Sequence, residues 1–552
     1  MPSRNYDNHF ENIATIDAPR SKFKMDKKHL TTFNVGDLIP FYSKLVYPGD
    51  TVSIRTNYVV RTTTPIKAPM DISYLDTYYF FVPMRLIWEH WKEFMGENKL
   101  TPWEQKTEYT IPQITAPEGG WNFKTLADHF GLPPKVGNIS VTALKFRAYA
   151  LIYNEWFRNQ NLQNGLMVNT DDATVVGSNG NNAINDAQLG GMPAKVCKFH
   201  DYFTSLLPEP QKGPDVLLPL GTTAPVIGDG NTVTFTNGYG NFGLSVLSET
   251  NTNYYATLNT GTANKPQNTQ GDELAGGYAP ASYGLAKQNS GMVADLSQAT
   301  ASTIIQLRQA FAIQQLYELD ARAGTRYTEI IKAHFGVTSS DARMQRPEYL
   351  GGSRNPMSIT QVVQTSGTTE TSEQGNIAGY SLTANTNDDV TYSSEEHGYI
   401  IGLTCVRCNH TYQQGIARED SYKDKLDFYW PTLDSIGDQA VLNKEIYAQG
   451  NDKDDEVFGY SERYIEARTD FNTLSGEFRD GYETSLKAWQ YADNYKELPT
   501  LSEGWIKESE VNMDKTLQVT SKVSDQIHAD FYIDATYVRR MAMYAIPGLD
   551  RM

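Results

Sequence analysis

Strand-like alternation of apolar and polar residues occurs near both ends of this chain, with several hundred residues between the two regions. Residues 51–60 and 528–538 place apolar side chains on one face and polar side chains on the other, as half-buried strands do. Residues 399–412 also follow a strand pattern, and residues 74–82 are apolar on both faces almost throughout, which predicts a central, doubly covered strand. Partner strands this far apart favour a mainly β fold of jelly-roll type with long inserted loops.

A few helices are predicted between these strands. Apolar residues recur at helical spacing in residues 86–95, in residues 144–152 and in a longer stretch from about 298 to 323. In the long stretch the apolar residues fall around most of the helix circumference, so we expect this helix to be packed on several sides.

Composition excludes wholesale disorder and limits the possible partners. Hydrophobic residues make up 39% of the 552 residues and aromatics 12%, which is enough for a core. The net charge of -17 opposes binding of a polyanion over the whole surface, so any nucleic-acid contact requires a local basic patch. No apolar run is long enough to cross a bilayer, and three cysteines cannot form a disulfide framework, so we expect a soluble protein made in a reducing cytoplasm.

Basic residues are concentrated near the start of the chain. Residues 1–30 are polar and are predicted to form a basic N-terminal arm, in which five cations surround the lone Asp26: Arg20, Lys22, Lys24, Lys27 and Lys28. Two interpretations remain open from the residues alone, a solvated tail and a phosphate-binding segment that faces nucleic acid.

Residues 221–295 differ in composition from the rest of the chain. They are rich in Asn, Gly, Thr and Ser and nearly free of charge, and residues 365–396 form a shorter stretch of the same kind, so both are predicted to be surface insertions. Rings within the larger insertion resemble those of adaptable binding loops and make it a candidate host-contact projection, with a disordered spacer as the alternative. The candidate contact residues are Phe235, Tyr239, Phe242, Tyr254, Tyr255, Tyr278 and Tyr283.

No motif in the sequence predicts catalysis, a cofactor or a metal site. Cys405 and Cys408 have the spacing of a zinc clamp but lie on a predicted strand, where residues three apart point to opposite faces, so we expect them to be buried structural residues. Residues 238–243 match GxGxxG, but the helix that a dinucleotide site requires does not follow. The chain is therefore predicted not to be an enzyme, and the alternative is an aromatic-rich β protein that binds or hydrolyses glycans with paired acids.

Motifs throughout the chain resemble the major capsid protein of gokushoviruses, a branch of the Microviridae. They include TTFNVGDLIP at 31–40, LDTYYFFVP at 75–83, RPEYLGG at 346–352, EHGYIIGL at 396–403 and QAVLNKEIYAQG at 439–450. Shorter matches lie at 47–51, 200–205, 210–213, 411–415, 427–431, 456–460, 530–534 and 547–549.

The resemblance implies an eight-stranded antiparallel jelly roll spanning 1–552 as one capsid domain, many copies of which form a simple T=1 icosahedral shell around circular single-stranded DNA. It implies that a large insertion, here roughly 221–295, forms a protrusion at the threefold axes. It further implies a separate small basic DNA-packaging protein, a host-cell surface receptor and assembly of the virion in the host bacterial cytoplasm, with no membrane insertion.

Overall fold

Strands dominate the computed structural model, which describes residues 19–98, 108–217, 304–370 and 373–544, together with short strands between residues 226 and 294. The strands are β1 (Arg20–Lys24), β2 (Lys27–Phe33), β3 (Ile39–Val46), β4 (Thr51–Thr62), β5 (Ser73–Pro83), β6 (Gln113–Thr115), β7 (Ser140–Thr142), β8 (Val175–Val176), β9 (Val226–Gly228), β10 (Thr234–Thr236), β11 (Asn241–Val246), β12 (Ala256–Thr260), β13 (Gly284–Leu285), β14 (Met292–Ala294), β15 (Glu348–Pro356), β16 (Ile359–Val363), β17 (Ile377–Ser381), β18 (Thr383–Ser393), β19 (Gly398–Cys408), β20 (Asp438–Leu442), β21 (Val457–Glu462) and β22 (Ile527–Arg540).

Most helices are single turns between strands. They are α1 (Met84–Ile87), α2 (Trp91–Phe94), α3 (Leu126–His129), α4 (Leu144–Ile152), α5 (Ala183–Asp186), α6 (Ile304–Ala323), α7 (Tyr327–Phe335), α8 (Asn443–Ile446), α9 (Glu503–Ile506) and α10 (Val511–Asp514). Within the described ranges, no helix combines the length and the apolar character that a bilayer span demands.

Two antiparallel sheets face each other across one core. The first sheet has the order β1-β22-β4-β18, with β2 beside β1 on the same edge of β22, and the second has the order β15-β5-β19-β3. When β1 and β2 are counted as one strand, the two sheets contain eight strands. Their order within the sheets is that of an eight-stranded jelly roll. Inward side chains of both sheets share the core, where Phe41 of the second sheet stacks on Phe531 of the first with ring centroids 4.6 Å apart.

The strands predicted from alternation are confirmed as β4, β5, β19 and β22. The second sheet is covered on both faces, because residues 84–196 supply a second apolar cluster against its outer side. Cys405 belongs to that outer cluster and Cys408 to the core between the sheets, and both are fully buried. The prediction that the two thiols lie buried on opposite faces of one strand is therefore confirmed.

Two helix predictions require correction. The helix expected over 86–95 is split into α1 and α2, because Trp88 is extended at φ -151° and its buried ring donates a hydrogen bond from Nε1 to Asp172 at 2.5 Å. Helix α6 confirms a long helix ending at Ala323, but within one chain it is not packed on several sides. Ala321 is its sole buried residue, while Ile305 and Phe311 are 75% and 60% exposed.

The chain forms two compact units, residues 1–212 with 318–552, and residues 213–317, and the insertion expected at 221–295 lies within the second unit. In that unit β10, β11, β12 and β13 form a sheet and β9 pairs with β14. Strand β11 begins inside the GxGxxG motif at Asn241 and includes Gly243, so no helix begins there to hold a pyrophosphate.

Strands also form in the two segments predicted as a basic arm and as a polar loop. Residues 20–24 and 27–30 of the expected basic arm belong to β1 and β2, where backbone hydrogen bonds to β22 fix them in the first sheet, and residues 1–18 lie outside the described residues. The segment 365–396 is not one polar loop, because it contains both β17 and β18. Strand β18 is an edge strand that pairs with β4. A polar edge strand resembles a loop in composition, since only its inward residues need to be apolar.

Candidate nucleic-acid interface

The outer face of the first sheet carries the side chains that point away from the core. Along β22 the buried residues alternate strictly with more exposed ones, from His528 to Arg540 on the outer side. The register aligns these with alternate residues of β1, β2, β4 and β18. This surface, called the basic face below, therefore contains side chains from strands that are far apart in the sequence.

Cations outnumber carboxylates on the basic face. The cations are Arg20, Lys22, Lys24, Lys28, Arg55, Arg61 and Arg540. The carboxylates are Asp26 in the turn after β1, Asp389, Asp530 and Asp534. The described residues of this face thus have an excess of positive charge on a chain whose net charge is -17.

Three of these cations are held by carboxylates. Lys24 Nζ lies 3.2 Å from Asp26, and this hydrogen bond raises the pKa of Lys24. Lys28 Nζ lies 3.0 Å from Asp530. Arg55 donates two hydrogen bonds to Asp389, at 2.8 and 3.1 Å. These exposed pairs orient the side chains but stabilise the fold only slightly.

The other cations are available to an anion. Among the described residues, Lys22, Arg61 and Arg540 make no ion pair. Arg20 faces Arg540 directly across the strands, and like charges in that position repel unless an anion lies near them. Arg20 is oriented by hydrogen bonds to the Gly49 carbonyl oxygen and to Thr51 Oγ1, at 2.9 and 3.1 Å.

The five cations predicted from the sequence divide between two locations. Arg20, Lys22, Lys24 and Lys28 lie on the basic face, but Lys27 is opposite Ile533, whose side chain points into the core. Burial, together with the positive charge of Lys44, lowers the pKa of Lys27. Lys27 therefore lies at the sheet edge and not with the other four.

The candidate host-contact residues fall in the second unit. Phe235 on β10 and Phe242 on β11 are directly opposite each other in the strand register. Tyr239, Tyr254, Tyr255, Tyr278 and Tyr283 lie outside the described residues.

Ionisable groups buried elsewhere are engaged in structural contacts. Asp76 on β5 is buried and accepts hydrogen bonds from Arg354 and Arg407, whose guanidinium groups also stack on Phe199. His410 lies between the carboxylates of Asp493 and Glu508. These groups hold loops against the sheets, and sequence analysis identified none of them because the partners come from distant segments.

Sequence analysis also missed part of the basic face. The alternation of residues 51–60 does place Arg55 on the polar side of its strand, which is a signal available from sequence. Its alignment with Arg61, Arg540 and the lysines of β1 and β2 depends on strand order and register, which the pattern of one strand does not contain.

Comparisons with known proteins cover almost the whole chain. A family described as capsid protein (F protein) of phages matches residues 11–549. Capsid protein VP1 of Spiroplasma virus 4 is 42% identical over 541 residues, covering 97% of this chain and 96% of that protein. Capsid protein VP1 of Bdellovibrio phage phiMH2K is 41% identical, with 99% of both chains covered, and capsid protein VP1 of Chlamydia phage 1 is 36% identical, with 99% and 98% covered.

Proposed function

The chain belongs to the phage capsid protein (F protein) family, and we propose that many copies close into an icosahedral shell around circular single-stranded DNA, with the basic face toward the genome. The family establishes a structural protein of the virion that assembles with itself, and it confirms the resemblance to gokushovirus major capsid proteins. An enzymatic role and the glycan-binding alternative are accordingly set aside.

The excess of cations on the basic face is the observation that carries the proposed DNA contact. Lys22, Arg61 and Arg540 lack carboxylate partners in the described chain, and Arg20 opposes Arg540 across the strands. Tyr532 on the same face is 42% exposed, and an exposed ring beside cations suits the bases of a single strand. Because the whole chain is acidic, we infer that a separate small basic packaging protein neutralises most of the genome charge.

Genome retention in purified particles tests this contact. We expect the triple substitution Lys22→Gln, Arg61→Gln and Arg540→Gln to leave particle assembly intact and to release DNA at lower salt than the unmodified protein. Each lost contact to single-stranded DNA reduces the slope of log affinity against log salt by about 0.7, so three contacts reduce it by roughly 2.

A matched control removes the same charge elsewhere. Lys487, Lys496 and Lys522 are exposed, lie outside the basic face and make no ion pair within the described ranges, so their triple change to Gln should not alter the salt dependence. Equal behaviour of the two triple variants would show that the DNA contact of the basic face is absent.

We propose that the unit of residues 213–317 provides the surface projection that attaches to a receptor on the host cell. Support comes from its many aromatics in an Asn-, Gly- and Ser-rich background and from its separation as a compact unit. Replacing residues 232–277 with a short Gly-Ser bridge should abolish attachment while the jelly roll still folds. Normal attachment would exclude the receptor role, and failure to form particles would identify the unit as an assembly element first.

Assembly in the host bacterial cytoplasm is part of the same proposal. Cys197, Cys405 and Cys408 are all unbonded, as expected of a protein that folds in a reducing compartment.

A further inference from the structure

Strands β16 and β17 form a two-stranded hairpin that leaves the outer edge of β16 unpaired. The register pairs Ile359 with Ser381 and Val363 with Ile377, and no third strand joins them among the described residues. Four of the five residues of β16 are exposed, including Val362 and Val363 at 51% and 45%. A two-stranded hairpin alone is only marginally stable in water, so a further strand would stabilise it.

Backbone hydrogen bonds show which residues of β16 face outward. In an antiparallel pair every second residue directs both its N–H and its C=O toward the partner strand. Leu382 N–H donates to the Ser358 carbonyl oxygen at 3.1 Å, so the even-numbered residues of β16 face β17. The N–H and C=O groups of Ile359, Gln361 and Val363 therefore point away from the hairpin, where no described residue bonds to them.

The other edge of the hairpin is covered by the chain itself. Lys67 Nζ donates a 2.8 Å hydrogen bond to the carbonyl oxygen of Ile377 on β17. At Gly379 of the same strand, an added Cβ atom would lie 2.8 Å from the Lys67 carbonyl oxygen, so the backbone around Lys67 passes directly against β17. The edge that remains available to another strand is therefore that of β16.

The edge strands of the two jelly-roll sheets carry features that prevent strand addition, and β16 does not. Strands β1 and β2 are rich in lysine, the registers of β3, β15 and β18 are each interrupted, and β3 and β15 also contain proline. The sequence of β16 is Ile-Thr-Gln-Val-Val, with four β-branched residues and without a charge, a proline or a bulge. An exposed edge of this composition is a template for pairing with another chain.

We propose that β16 pairs antiparallel with β16 of a second copy of this chain across a twofold axis, so that two hairpins form one four-stranded sheet between subunits. The second copy is the partner because the family is one of capsid proteins, which assemble with themselves. A twofold axis through the contact makes two identical strands antiparallel. The inference rests on the proposed icosahedral shell for that axis.

Strand β16 is complementary to itself in this arrangement. When Gln361 lies opposite its own copy, Ile359 lies opposite Val363, and the outward residues of the two strands form about six inter-chain hydrogen bonds. The β-branched pair packs favourably, and the two glutamine amides hydrogen-bond to each other. On the other face of the strand Thr360 lies opposite Val362, so no like charges meet in the paired residues.

Oxidation of a single cysteine placed at the centre of the contact tests the pairing. Opposed residues of such a pair have Cα atoms about 5.5 Å apart, which is within the range of a disulfide. We therefore expect oxidised Gln361→Cys particles to give covalent dimers when denatured without reductant. Thr360→Cys is the matched control and should stay monomeric, because Thr360 lies opposite Val362 and not opposite its own copy. The unmodified protein gives the background from the native cysteines.

A proline at the same position tests whether the backbone makes the contact. Gln361→Pro removes an N–H that β17 does not use, so the hairpin should still fold. The change removes about two inter-chain hydrogen bonds, one from each copy. We expect the yield of particles to fall roughly tenfold relative to Gln361→Ala, which keeps the N–H.

The outcomes separate this inference from the proposed function. Closed particles in which Gln361→Cys stays monomeric after oxidation would overturn the self-pairing of β16, as would an unchanged particle yield for Gln361→Pro. If Gln361→Pro subunits do not fold, the cysteine result decides. Failure of the unmodified protein to form closed icosahedral particles under the electron microscope would overturn the proposed shell, whereas Gln361→Cys dimers would still support the strand pair.

Discussion

Replacing His410 with glutamine is expected to destabilise the protein strongly at mildly acidic pH and progressively less as the pH rises. The ring is almost fully buried, with Nδ1 3.0 Å from Asp493 Oδ1 and Nε2 3.2 Å from both carboxylate oxygens of Glu508. Asp493 also contacts a second cation, because Lys198 Nζ lies 3.1 Å from it. Glu508, in contrast, depends on His410 as its cation. Glutamine retains hydrogen-bonding groups but removes the charge.

The magnitude follows from the pKa of the imidazole. Burial by itself lowers this pKa, but the charges of Asp493 and Glu508 outweigh burial and raise it from 6.5 to about 10. A shift of one pKa unit corresponds to about 1.4 kcal/mol, so the protonated histidine contributes roughly 5 kcal/mol. Breaking a buried ion pair by removing one partner costs about 3–5 kcal/mol, which is consistent.

The direction of the pH dependence is fixed by the raised pKa. The folded protein holds a proton that the unfolded chain releases above about 6.5, so the stabilisation is complete below that pH. It declines by about 1.4 kcal/mol per pH unit and is lost as the pH passes through about 10. The difference in stability between the wild type and His410→Gln must therefore shrink over that window.

Thermal unfolding of purified particles, followed by intrinsic fluorescence at a series of pH values, measures this difference. For a chain of this length 1 kcal/mol shifts Tm by roughly 1 °C, so a gap of about 3–5 °C is expected at the acidic end. His200→Gln, at an exposed histidine, is the control and should leave Tm unchanged. A gap that stays constant from about pH 6.5 to 10 would refute the protonated-histidine network.

Three further predictions concern the core, the cysteines and α6. Phe531→Ala should lower the free energy of unfolding in urea by about 3–5 kcal/mol, because the ring is fully buried and stacked on Phe41; a loss below ~1 kcal/mol would contradict this packing. Zinc content of the purified protein should be the same before and after the double change Cys405→Ser, Cys408→Ser, and stoichiometric zinc lost on that change would overturn the structural role. Phe311→Gln should reduce the yield of particles more than that of folded subunits, because this exposed apolar side chain is available to a second copy; an unchanged particle yield would exclude that contact.

Sequence patterns predicted the strands with a mostly apolar inner face and missed those at the sheet edges. Strands β4, β5, β19 and β22 were identifiable because each contributes side chains to the core at regular spacing. Edge strand β18 has few inward apolar residues, chiefly Val390 and Tyr392, and its Asn, Thr and Asp composition is typical of a loop. Strand β15 contains Gly352, where a Cβ atom would lie 2.0 Å from the Thr77 carbonyl oxygen, so close strand approach selects a residue that sequence patterns associate with turns.

The candidate site was predictable only in part for a related reason. Four of the five basic residues singled out near the start of the chain do share one surface, because period-two alternation holds for Lys22 and Lys24 whatever their partners are. The alignment of Lys22, Arg61 and Arg540 on one surface was not predictable, since it depends on the pairing of β22 with β1 on one side and with β4 on the other.

The position of β22 in the first sheet has a consequence for when a subunit becomes competent to assemble. This strand lies between β4 on one side and β1 with β2 on the other, and the register joins Arg20 to Arg540. During synthesis β22 leaves the ribosome after every other strand of the jelly roll, so β1 and β2 have no partner and β4 has an open edge until then. A nascent or truncated chain therefore cannot present the completed basic face, and shell formation is restricted to chains whose translation has passed β22.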